Sequence, residues 1–90
     1  MIAPDLPGAD LVERGLEDLA RGVTSVESLV VSIGAVRLRV VSVDVPTALP
    51  DPELRLYEVL AGQYGDAAHA RYNALVRLLV SFQRAAACAR

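Results

Sequence analysis

Residues 35–45, Ala-Val-Arg-Leu-Arg-Val-Val-Ser-Val-Asp-Val, decide whether this chain is wholly helical. Val36, Leu38 and Val40 alternate with Arg37 and Arg39, as in a half-buried strand whose side chains point to opposite faces in turn. Val41, Val43 and Val45 alternate as well, but in the opposite phase. A single strand therefore needs a bulge near Val40-Val41 to keep one face buried. With a helical period instead, Val36, Val40 and Val43 fall at i, i+4 and i+7 on one stripe. The β-branched content favours a strand, but a lone strand finds no partner elsewhere in the chain. Residues 35–45 are thus a short helix or a lone extended strand, with the balance toward a helical or extended crossover. The fold expected around them is all-α, a small four-helix bundle-like domain.

Upstream, Thr24-Ser25-Val26-Glu27 has the spacing of a capping box, with Thr24 and Glu27 satisfying opposite amides. Val26, Leu29, Val30 and Ile33 then recur on one helical face, and Gly34 ends or bends that helix. Before it, Asp10 can cap a helix over about 10–21, whose Val12, Leu16 and Leu19 form a stripe. Arg21 in the last turn and Gly22 just after it suit a helix C-terminus. Residues 1–9, with two prolines and a glycine, read as an irregular arm, leaving 10–90 as a single helical domain.

Downstream, Pro46-Thr47-Ala48-Leu49-Pro50 is a stiff connector, and Asp51-Pro52-Glu53 is a strong helix start. The helix it opens runs to about Gln63. Its apolar residues cover more than half the circumference, which predicts a central position. Gly65 stops it and Asp66 caps a last helix over about 67–88. On that helix Ala68, Tyr72, Leu75, Leu78, Leu79, Phe82 and Ala86 share a face, with Asn73, Arg77, Ser81 and Arg84 opposite.

The 90 residues suffice for one core, and 53% apolar content excludes a disordered chain. A single Cys excludes an internal disulfide framework and a cysteine-based zinc site. No run approaches the ~18–20 apolar residues of a membrane span, and Met1–Asp5 lacks the basic start of a signal peptide; a cytoplasmic protein is expected. All nine cations are Arg, as the codon usage of a GC-rich bacterial genome produces. Net charge is −2, but unevenly spread: residues 1–66 hold all 11 acids and five Arg, whereas 67–90 hold four Arg and no acid.

No catalytic residue set, metal cluster or cofactor motif emerges. There is no Gly-rich phosphate loop, and Cys88 has no neighbouring His in sequence. His69, Tyr72 and Asn73 stand at i, i+3 and i+4, so they can converge over one turn as a base with orienting partners. The plainer reading is a border-face imidazole beside a core-facing Tyr, and it is preferred. Residues 16–33 resemble a helix-turn-helix hairpin generically, but the second helix offers Glu27, Ser28 and Ser32 where base readout needs cationic or amide donors. The expected function is a small helical protein-interaction module, self-associating or bound to a protein partner and without activity of its own. Its candidate surface is Val36, Val40, Val43, Arg71, Leu75, Arg77, Leu78, Phe82 and Arg84. The alternative is a regulator that meets nucleic acid through the basic last helix or the 16–33 hairpin, against which overall acidity counts.

Overall fold

The computed structural model describes residues 5–88. These form α1 (Ala9–Ala20), α2 (Val26–Ile33), α3 (Ala35–Val40), α4 (Pro52–Tyr64) and α5 (Ala68–Cys88), with a 3₁₀ turn, Gly65–Ala67, between the last two. No strand occurs among the described residues, and the all-α class expected from the sequence is the observed one. Of the expected arm over 1–9, residues 5–8 are a turn whose Leu6 packs against the core, and Ala9 already opens α1.

The helix ends follow local chemistry, with some shifts from expectation. At the end of α1 the Val23 amide donates to Asp18 O (2.7 Å) and Gly22 donates to Leu19 O (3.1 Å), the paired bonds of a Schellman cap. That cap requires a left-handed residue, and Gly22 supplies φ 71°. The start of α1 is preceded by Gly8, and Asp10 lies in the first turn instead of capping it. The cap of α2 is Ser25, one residue after the expected Thr24. Its hydroxyl accepts from the Ser28 amide (3.0 Å) and donates to Asp18 Oδ2 (2.6 Å), while Ser28 Oγ, not Glu27, accepts from the Ser25 amide (2.7 Å). Arg21 completes the clamp with an ion pair to Asp18 Oδ1 at 2.8 Å.

The Ser25 hydrogen bond first, and Arg21 second, hold the Asp18 carboxyl below its ordinary value of 3.8. A lowered acid pKa adds stability that is complete above 3.8 and is lost as pH falls through the lower folded value. Ser25→Ala is expected to cost about 1 kcal/mol, typical of a lost N-cap. It should also move the Asp18 titration, followed by carboxyl NMR, back up toward 3.8. An unmoved Asp18 titration would contradict the clamp.

The ambiguous segment resolves in two halves. Residues 35–40 are helix, with Ala35 and Leu38 buried, and 43–46 are irregular. The stop is a second Schellman cap, Val43 N to Leu38 O (2.9 Å) and Ser42 N to Arg39 O (3.0 Å). Here the left-handed position is filled by Ser42 at φ 67°, so no glycine signals it. Val43 consequently leaves the Val36–Val40 stripe and turns toward the core. Since a side chain in this region costs roughly 1 kcal/mol, Ser42→Gly is expected to raise stability by up to about that amount in urea unfolding.

The centre of the fold is α2, which packs on α1, α4 and α5. Ser28, Leu29, Val30, Val31 and Ser32 are all buried, and none of its residues is exposed. The expected central helix, α4, is peripheral. It buries only Leu56 and Leu60, and Leu54 on its outer side is 64% exposed. Ser32 ties the connector to α2, its hydroxyl donating to Ser28 O (2.8 Å) and accepting from the Leu49 amide (3.0 Å). Val45 is buried at the start of the same connector. The long α5 spans about 32 Å at 1.5 Å per residue, most of the 38 Å length of the molecule.

Candidate functional surfaces

The α4–α5 hairpin brings three rings together. Tyr57 lies 5.8 Å from Tyr72 and 6.4 Å from His69, centroid to centroid and tilted in both cases. Asn73 Nδ2 donates to His69 Nε2 at 3.3 Å, one turn along α5. His69, Tyr72 and Asn73 thus converge as their spacing allows. His69 itself is exposed, however, and neither of the two main grooves includes any of the three. Partial burial, and then the nearby Glu53 carboxylate, push the Tyr72 phenol above 10. Tyr72 is half-buried and packs against the core and the Tyr57 ring, an aromatic contact of the α4–α5 hairpin. No group of three or more His, Cys, Asp or Glu side chains gathers among the described residues, and Cys88 is exposed.

The nine candidate surface residues do not form one surface. Phe82 is a correction: it is 1% exposed and among the largest fully buried side chains, because α5 turns it directly onto the core. Val43 and Leu75 are half-buried, and the other six are exposed. Of these, Arg77 lines neither groove.

The first groove, of about 360 Å³, runs between α2, α4 and α5. Leu75 and Leu78 form its α5 wall with Arg71, Leu60 and Tyr64 contribute from α4, and Val26 and Glu27 from α2. The Arg71 guanidinium lies 4.6 Å from the centroid of Tyr64. No ion pair joins it to Glu27 across the groove. The second, of about 900 Å³, separates α3 from the C-terminal half of α5. Val36 and Val40 stand on its α3 side, 74% and 67% exposed, and Arg37 and Arg84 also line it.

Sequence reasoning singled out neither Tyr57 nor Tyr64, nor the second groove's far wall of Val76 and Val80. The i, i+4 spacing of those two valines, matching Val36 and Val40, was the available signal.

The comparisons with known proteins supply no assignment: no family model, curated protein or solved structure matches the chain. No described helix is long and apolar enough to cross a membrane.

Proposed function

We propose that this chain is a small helical protein-interaction module, without catalytic activity of its own, that pairs with a second copy through the α2–α4–α5 groove. One observation carries the reading: the groove has opposite charges on its two walls, Glu27 on α2 and Arg71 on α5, around an apolar centre that includes Leu75 and Leu78. A two-fold axis through such a face sets each Glu27 beside the other copy's Arg71 while covering Leu78, which is 38% exposed. Self-complementarity of this kind is what a two-fold interface requires. It also joins the acidic first part of the chain to its basic last part.

Contact with nucleic acid has less support. No residue of α2 is more than half-exposed and its central five are buried, so the second helix of the 16–33 hairpin offers no free face to lay in a DNA groove. On α5, the position of Arg71 lies about a third of a turn from those of Arg77 and Arg84 at 100° per residue, so the three arginines do not share one face.

A charge-exchange cycle tests the pairing. Arg71→Glu and Glu27→Arg are each expected to weaken self-association about fivefold, and the double variant to recover most of that loss. Dissociation constants from dilution calorimetry supply the comparison. A double variant no stronger than its parents would refute this arrangement.

A further inference from the structure

The groove between α3 and α5 differs from the first in its electrostatics. Its apolar surface comes from Ile33, Val36 and Val40 on one side and Val76, Leu79 and Val80 on the other. Among the described residues its only charged lining residues are Arg37 on α3 and Arg84 on α5, both exposed, and none of the described acids lines it. Neither α3 nor α5 contains a single Asp or Glu. The lining on α5 extends from Val76 to Ala87, about 16 Å or three helical turns. That length matches the i, i+4, i+7 anchors of a helix laid in a groove.

We propose that this groove docks an acidic amphipathic helix of a partner protein. The partner's apolar side chains sit between the valine walls, and its flanking carboxylates meet Arg37 and Arg84. Guanidinium forks suit that pairing better than ammonium groups would. A second copy of this chain is a poor occupant, for two reasons. A two-fold contact across the groove brings like cations together, which disfavours it. The chain's own acidic helix, α1, already commits its apolar positions Val12 and Leu19 to the core. Duplex DNA would satisfy the arginines but leave the valines facing phosphate. The site is separate from the α2–α4–α5 face, so it stands or falls independently of the pairing proposed above.

The test uses the full chain and two fluorescein-labelled peptides of about 14 residues, each with leucines on one helical face. One carries glutamates on the other face and its twin carries lysines. Fluorescence anisotropy is expected to give micromolar binding of the glutamate peptide, weakened by salt, and none of the lysine twin. Arg37→Glu with Arg84→Glu should weaken binding about tenfold, and Val36→Ser with Val40→Ser should weaken it comparably. All four positions are exposed, so the variants keep the fold, as circular dichroism will verify. Equal binding of both peptides, or binding of neither, would overturn the proposal. So would displacement of the peptide by a short DNA duplex, or a change in self-association on substituting Val36 and Val40.

Discussion

Phe82→Ala is expected to lower the unfolding free energy by about 3–5 kcal/mol, the usual cost of emptying a buried aromatic site. The side chain is 1% exposed and belongs to the same core as Leu29, Leu38 and Leu79. Against a total of roughly 5–13 kcal/mol for a domain of this length, that is the loss of about a quarter or more of the stability. Urea unfolding at fixed protomer concentration measures it, because any self-association adds to apparent stability by mass action. The result also separates two roles for Phe82. A core residue shifts the unfolding midpoint at every protein concentration; an interface residue shifts it only at concentrations where the chain self-associates. The buried position predicts the first outcome, and the second would place Phe82 on a surface after all.

Gly15→Ala should lower the melting temperature, even though alanine is the better helix former by about 1 kcal/mol. Gly15 is buried where α1 crosses α2. A Cβ there would stand 2.5 Å from the Glu27 carbonyl oxygen and closer still to Cγ2 of Val31. The Glu27 atom is backbone and cannot swing aside, so the two helices must separate. Overpacking of this kind costs about 3 kcal/mol, leaving a net loss near 2 kcal/mol and a fall of about 8–16 °C by the scaling for small domains. Circular dichroism at the helical band follows the transition. An unchanged or raised melting temperature would mean that α1 and α2 do not approach this closely in solution.

The parts of this fold that were legible in the sequence are those with a local chemical cause. Gly22, Pro52 and Gly65 each force a helix boundary through backbone geometry alone, and each boundary lies within a residue or two of its expected place. The layout of the core was harder to read. Leu54 and Tyr57 count as apolar on α4, yet both are exposed, the tyrosine meeting other rings at a tilt instead of filling the interior. By contrast α2 is short and carries two serines, but those serines bond to backbone groups and so are as buried as the valines. Residues 35–45 were ambiguous because the helix stop at Ser42 rests on a left-handed serine, a conformation that side-chain type does not announce.

For the candidate surfaces, the sequence located exposed valines and arginines but not how they divide between two grooves. That division depends on which side of α5 meets α2 and α4 and which is left beside α3, a tertiary property. It also decides the electrostatics. Arg71 shares its groove with Glu27, whereas among the described charged residues Arg84 shares its own with Arg37 alone.

The weight-average mass of the native chain by sedimentation equilibrium, across about 1–100 μM at moderate salt, tests the central claim most directly. The account predicts a mass that rises with concentration from 9.6 kDa toward about twice that value. A mass fixed at 9.6 kDa throughout would contradict it.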